Sequence, residues 1–412
     1  MRTRSLAIPA ATLILVAAGS GALFARTHGA GLTGLVEFSR ANGAAPFAGL
    51  IATGAGTLVG ATTAGGGTSR ECPNLGCGVI FELLPKGSGY TEREIYRFQG
   101  ADDGSAPSSS LVQSPSGVLY GTSFGGANHR GVVFALAPDG SHYDFSIVYS
   151  FTCCTDASFP GAPLIADASG ALYGTTSGGG TAEEGAVFKL TPTPSGFTES
   201  VLYSFQGGSD GANPYASLLL DGSGALWGTT FRDGAHDEDS GTVFRLTPTP
   251  SGYEETVVYR FPGGKASGAA PCAGLIEDAN GVLYGTTEIA GRYGYGTVYT
   301  LTPSGSTYVE KTIHDFRGRS DGAYSCSNLI FGANGTLYGT TLNGGTNNLG
   351  TVFELTPKGS TFTERVVHSF QGPPGDGSEP FAGVISDGVG NLYGTTVEGG
   401  AHNRGTAFKL NL

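Results

Sequence analysis

The chain has 412 residues, 71 of them Gly and 21 Pro, with 39% hydrophobic and only 14% charged residues and a formal net charge of -12. That acidic balance, without a run of five Lys or Arg, excludes a general binder of nucleic acid or anionic membrane, which needs a basic patch to displace counterions. With 23 Phe and 18 Tyr the chain can fill a large core, so stability rests on packing and sheet pairing more than on ion pairs.

From the amino end, Arg2 and Arg4 precede an apolar run from Leu6 to Ala18, small residues from Gly19 to Ala22 and a final Ala25. This order predicts a secretory signal peptide over 1–25; a retained anchor is the alternative, although the run is short for a membrane span. The remainder, 26–412, is expected to be one domain, a monomer with no membrane span in the mature chain. Its expected place is secreted, periplasmic or on the cell surface. Six cysteines suit such an oxidising compartment.

Next along the chain, a block of Leu, a large residue, Gly and a small residue recurs with its glycines at Gly60, Gly121, Gly174, Gly228, Gly285, Gly339 and Gly394. Gaps of 61, 53, 54, 57, 54 and 55 residues mark stacked supersecondary units. The fourth unit shows their content. ASLLLD over 216–221, ALWGTT over 225–230, GTVFRL over 241–246 and ETVVYRF over 255–261 are separated by Gly-, Ser- and Pro-rich turns. Each has the length and the β-branched and aromatic content of a strand, giving four strands a, b, c and d per unit.

The c strands begin at Gly78, Gly131, Gly185, Gly241, Gly296, Gly350 and Gly405, whereas the d strands end at Phe38, Phe98, Phe151, Phe205, Phe261, Phe316 and Phe370. The chain therefore opens on a spare d strand, LVEF over 35–38, and its last unit stops after strand c, GTAFKL over 405–410. A ring explains the offset. The predicted fold is an all-β, seven-bladed β-propeller of four-stranded antiparallel blades, its last blade closed by the amino-terminal strand (3+1 closure). The block glycine is expected to admit the backbone of a neighbouring blade.

Cys72 and Cys77 are expected to form a disulfide in the long first b–c loop, closing a small ring worth about 2 kcal/mol. Cys153 and Cys154 are adjacent, and their state is open. Cys272 and Cys326 share one phase in neighbouring units, where a bridge depends on geometry. A four-thiolate zinc site lacks the required pair of short Cys spacings, so no metal and no cofactor are expected.

The phrases GALYGTT (170–176), GTVFRLTPTPSG (241–252) and SVLYSFQGGSDGANPYASLL (200–219) resemble the GloVer tandem-repeat family of bacterial extracytoplasmic proteins, often described as choice-of-anchor proteins. The resemblance runs over 35–412 and implies a secreted or surface-displayed β-propeller-like repeat protein without assigned chemistry.

In such a ring the a–b and c–d turns share one face and the b–c and d–a connections the other. Asp167, Asp278 and Asp387 open short a–b turns, where Asp accepts local backbone bonds and Gly supplies positive φ. On the other face, Asp103, Asp210, Asp321 and Asp376 read as turn formers rather than calcium ligands. The b–c loops vary in chemistry, as a binding surface on a rigid scaffold does. Candidate ligand-binding residues there are Asn128, His129, Arg130, His236, Asp237, Asp239, Arg292, Tyr293, Asn347, Asn348, His402, Asn403 and Arg404. The G-x-S-x-G strings at 207–211 and 318–322 lack the strand–turn–helix context of a nucleophile elbow. No catalytic residue is assigned. The reading is a non-enzymatic binding or scaffold propeller for a glycan, peptide or envelope component. Its alternative is a polysaccharide hydrolase or lyase using Glu183, Glu184, Asp237 and His236, which needs a carboxyl of raised pKa in a deep pocket.

Overall fold

The computed structural model describes residues 31–152, 156–232 and 240–412. The leader over 1–25, Cys153, Cys154, His236, Asp237 and Asp239 lie outside them. Seven four-stranded antiparallel sheets form a seven-bladed β-propeller. In blade 1, strand a is Ile51–Ala52, b Leu58–Thr62, c Val79–Lys86 and d Gly89–Arg97. Blade 7 takes a, b and c from Ile385–Ser386, Asn391–Thr396 and Thr406–Asn411, and d from Gly31–Glu37. The closing pair is antiparallel, from Gly31 opposite Asn411 to Glu37 opposite Thr406. The ring closes as the strand count requires, with a d strand that starts at Gly31, ahead of the expected LVEF.

Every c–d pair slips by one residue. In blade 2, Val133 faces Tyr149 while Phe134 faces Ile147, so Val148 is bulged; in blade 7 the slip falls between Gly34 and Val36. A bulge increases the local twist. Here it lies just before the Phe that ends each d strand.

That Phe carries the contact between blades. Phe38, Phe98, Phe151, Phe205, Phe261, Phe316 and Phe370 are essentially buried. Each meets edge-on an aromatic ring in strand c of the next blade: Phe38–Phe81, Phe98–Phe134, Phe151–Phe188, Phe205–Phe244, Phe261–Tyr299, Phe316–Phe353 and Phe370–Phe408, with centroids 4.9 to 5.3 Å apart. All seven interfaces hold one pair. Edge-to-face geometry sets the electropositive ring edge against the π face and adds about 0.5–1.5 kcal/mol per pair to area burial. The core lies between blades: one cluster joins Val133 and Phe151 of blade 2 to Phe188 and Leu190 of blade 3.

A second latch lies nearer the axis. The first Thr after the block glycine donates its hydroxyl to a strand-entry carbonyl of the next blade: Thr175 to Ala216 (3.0 Å), Thr229 to Ala273 (3.3 Å), Thr286 to Ser327 (3.3 Å) and Thr340 to Ala382 (2.9 Å). Thr395 to Ala48, at 2.9 Å across 347 residues of sequence, completes the circle. Blade 1 has Ala61 at this position and makes no such bond.

The block glycine has a different reason from the one expected. A Cβ on Gly60, Gly174, Gly228, Gly339 or Gly394 would fall 2.5 to 2.7 Å from Cζ of the Phe opposite in strand c of the same blade, and on Gly285 2.5 Å from Tyr299 Oη. The aromatic ring lies across its own sheet, and only hydrogen leaves it room. Gly228→Val is expected to cost at least 1–3 kcal/mol through displacement of Phe244. Gly222→Ala, with nothing within 4 Å of the added Cβ, should change stability by about 0.5 kcal/mol or less when both variants are compared with the parent by urea unfolding.

Candidate functional site

The d–a and b–c connections of each blade are tied together. They pair at Ala44/Ala64, Ser105/Phe124, Ala212/Arg232 and Ala323/Asn343. Elsewhere they form two-residue ladders, Ala157–Ser158 with Gly178–Gly179, Gly268–Ala269 with Ile289–Ala290, and Gly377–Ser378 with Glu398–Gly399. Both sets of connections therefore occupy one face.

A ring of left-handed residues surrounds the axis on that face. Ala45, Ala106, Phe159, Asn213, Ala270, Tyr324 and Glu379 have φ between 49° and 62°, and none is Gly. Each donates its N–H to a b–c loop carbonyl of the preceding blade, as Ala45 does to Arg404 (2.9 Å), Phe159 to Arg130 (2.7 Å) and Glu379 to Leu349 (2.9 Å). Left-handed backbone with a side chain costs about 1–2 kcal/mol per residue, so the surrounding hydrogen bonds must enforce it.

From this ring the chain enters strand a and lines the central channel. Phe47, Ser108, Gly161, Tyr215, Cys272, Cys326 and Phe381 form one layer; Gly49, Ser110, Pro163, Ser217, Asn328 and Gly383 form the next. The cavity they enclose is about 100 Å³. It is narrow because Asn328 reaches across it, accepting from Gly274 N at 2.7 Å and donating to Ser217 Oγ at 3.4 Å. A disulfide joins Cys272 of blade 5 to Cys326 of blade 6. The shared phase brings their Cα atoms to 5.1 Å, within disulfide reach. Cys72 and Cys77 are also bonded, as expected.

The mouth is aromatic. Tyr215, Tyr293, Tyr295, Phe381 and Phe159 are 48%, 42%, 37%, 37% and 36% exposed. Phe47 and Phe381 meet edge-on at 5.3 Å, Tyr215 and Phe231 at 5.8 Å, and Tyr295 and Tyr324 at 5.9 Å. Beside blade 1 lies a groove of about 470 Å³ between the small residues Ala45, Thr63, Ala64 and Ala106 and the disulfide-closed loop bearing Asn74 and Leu75.

The loop residues singled out in the sequence divide into two groups. Arg130 lies over the Phe159 ring at 5.3 Å, and Arg292 and Arg317 lie over Tyr293 at 5.4 and 5.7 Å, so these side chains pair with exposed rings of the loop face. Asn128 instead donates to Phe151 O at 3.1 Å, Asn348 accepts from Gly344 N at 3.1 Å, and Asn403 accepts from Gly399 N at 2.9 Å. His129, Asn348 and Asn403 occupy one turn position, with φ of 54°, 59° and 50°. Arg404 uses its backbone carbonyl to hold Ala45. Asn347 and His402 are exposed, and His402 stands on blade 7, separated from His129 on blade 2 by blade 1. Sequence reasoning missed the channel layers; the mark of the first is a Pro before six of its seven residues, at Pro46, Pro107, Pro160, Pro214, Pro271 and Pro380, with Ser325 before Cys326.

The acidic turn residues hydrogen-bond within their own turns and to nearby rings. Asp167 accepts from Ser169 N, Ala171 N and the Tyr173 hydroxyl at 2.8, 3.0 and 2.9 Å. Burial pushes its carboxyl up, but these bonds outweigh it and hold the pKa below the usual range. Asp103 accepts from Tyr96 Oη (2.9 Å) and Gln99 N (2.8 Å), and Asp376 accepts from Gln371 N (2.9 Å) and pairs with His368 Nε2 (3.0 Å). Asp156 serves the same turn and belongs with them.

The strongly raised carboxyls lie between blades. Glu199 is pushed up to about 7 by burial and by Asp156; Glu255 to about 7 by burial and Asp210, against Arg260. Glu364 also reaches about 7 through burial, with His314 opposing and Asp321 reinforcing the rise. One oxygen of each is buried without a hydrogen-bond partner, an environment that favours the neutral acid.

Fold and mouth together define a β-propeller carrying an aromatic-lined loop face over a nearly closed channel. The model of the Gloeobacter/Verrucomicrobia repeat matches residues 12–238 and again 236–412, and the chain belongs to that family. Among solved structures it is similar to a putative 6-phosphogluconolactonase from Bacteroides fragilis NCTC 9343, with a TM-score of 0.52 and 16% identity over 80% of this chain and 85% of the other. A putative 6-phosphogluconolactonase from Bacteroides uniformis ATCC 8492 gives 0.50 and 11%, over 78% and 85%. Such low identities show the fold alone. No curated protein matches the chain.

The raised glutamates set a pH dependence. They titrate near 4.5 when unfolded and near 7 when folded, so the fold holds protons that the unfolded chain releases. Their stabilising contribution is full below about pH 4.5 and is lost as pH rises through about 7. In thermal melts the slope of Tm between about pH 5 and pH 8 should be less negative in Glu199→Gln, Glu255→Gln and Glu364→Gln than in the parent.

Proposed function

We propose that this propeller is a non-enzymatic extracytoplasmic binding module that engages a glycan at the mouth of its loop face. The observation that carries the reading is the set of half-exposed rings on the loop face: Tyr215 and Phe381 in the channel lining, and Phe159 and Tyr293 on the connections of that face, with Arg130 over Phe159 and Arg292 and Arg317 over Tyr293. Large exposed rings lose little conformational freedom on binding, and a pyranose offers a flat C–H face to stack on them with hydroxyls for the Arg and backbone groups around it. The groove of about 470 Å³ has the size of a small-ligand site, whereas the channel cavity of about 100 Å³ holds only solvent-sized groups. Two disulfides support placement outside the cytoplasm.

A hydrolase or lyase reading draws on one rim residue, Glu379, whose carboxyl is raised by burial first and by Glu398 second. The three carboxyls pushed furthest, Glu199, Glu255 and Glu364, line blade interfaces, which favours binding over turnover. A glycan array run beside a glycosidase and lyase screen separates the two. The expected outcome is retention of a glycan class without cleavage. Tyr215→Ala and Tyr293→Ala should weaken it tenfold or more, and Val389→Ala, 83% exposed in an a–b turn on the opposite face, should leave it unchanged. Cleavage lost in Glu379→Gln would favour the enzyme; silence in both assays would remove the glycan.

A further inference from the structure

The channel-layer disulfide has a third potential ligand beside it. Glu288 follows strand b of blade 5, Leu283–Thr287, and one carboxylate oxygen and the Sγ atoms of Cys272 and Cys326 all lie within 4.8 Å of one another. All three residues are partly buried, and both cysteines face the channel cavity of about 100 Å³, which leaves room for solvent ligands. Glu288 N donates to Ala270 O at 3.1 Å, so its backbone is anchored next to blade 5's entry into the channel.

We infer that Cys272, Cys326 and Glu288 form a redox-gated site for a thiophilic divalent cation such as Zn(II), closed while the sulfurs are bonded and opened by a dithiol reductant. The dithiol delivers two electrons and two protons to the S–S bond, giving two thiols and its own disulfide. The cation then displaces both protons to solvent and is held by two thiolates and one carboxylate, with water in the fourth position. Zinc accepts this donor set in tetrahedral geometry, and partial exposure allows the thiolates to form. The ligands come from two blades, so the ion replaces the covalent tie with a coordinate one across the same interface.

The test uses full-length chain with Cys72, Cys77, Cys153 and Cys154 changed to Ser, which leaves Cys272 and Cys326 as the only cysteines of the six. After treatment with a dithiol and its removal under anaerobic conditions, Zn(II) is titrated against a chromogenic indicator. One ion per chain is expected for the reduced protein and none for the oxidised. Glu288→Gln should weaken uptake tenfold or more, and Cys272→Ser should abolish it. Equal uptake in both redox states, no uptake on reduction, or an unchanged affinity in Glu288→Gln overturns the proposal. Should the four-Ser chain fail to fold, the parent and its Cys272→Ser/Cys326→Ser variant are compared. The reduced parent should bind one ion more, and equal stoichiometry overturns the site.

Discussion

Edge-on contact between the Phe that ends each d strand and the ring in strand c of the next blade holds the structure in a circle. It recurs at seven interfaces, and one of them, Phe38 with Phe81, joins the amino-terminal strand of blade 7 to blade 1. An isolated four-stranded blade leaves its faces and its outer edge exposed, so no blade is complete without the next. The block glycine, the bulge in each c–d pair and the Thr latch near the axis all serve this contact. Glycine lets the ring cross its own sheet, the bulge lies at the end of the d strand, and Thr395 ties blade 7 back to Ala48.

Much of this was legible in the sequence because repetition makes each position visible seven times. The glycine blocks gave the number of blades, and the mismatch between d strands ending at Phe38 and c strands ending the chain gave the closure. The cause of the glycine was not legible. Gly228 and Phe244 are 16 residues apart, and only the register of Gly228 opposite Phe244 places the ring where a Cβ would stand. The disulfide between Cys272 and Cys326 was legible as a shared phase but needed the interblade distance of 5.1 Å to become a bond.

The candidate site was legible as a face and not as a set of side chains. Polar loop residues drew attention through chemistry, yet Asn348 and Asn403 spend their side-chain oxygens on their own turns. The rings that open to solvent, Tyr215 and Phe381, sit one residue after Pro214 and Pro380, where the buried Ala216 and partly buried Ala382 that follow them disguise them as strand residues. Seven left-handed residues precede this layer, Asn213 and Glu379 among them, and each is hydrogen-bonded to a loop of the preceding blade. The titrating glutamates lie between blades and couple the stability of the fold to pH without entering the mouth.

The most direct test removes the strand that closes the circle. A chain beginning at residue 39 lacks Gly31–Glu37 and Phe38, and its thermal unfolding is followed with and without a synthetic peptide covering residues 31–38. Ring closure predicts a lower and less cooperative transition in the shortened chain, with recovery on stoichiometric addition of the peptide. Unchanged melting of the shortened chain would contradict it.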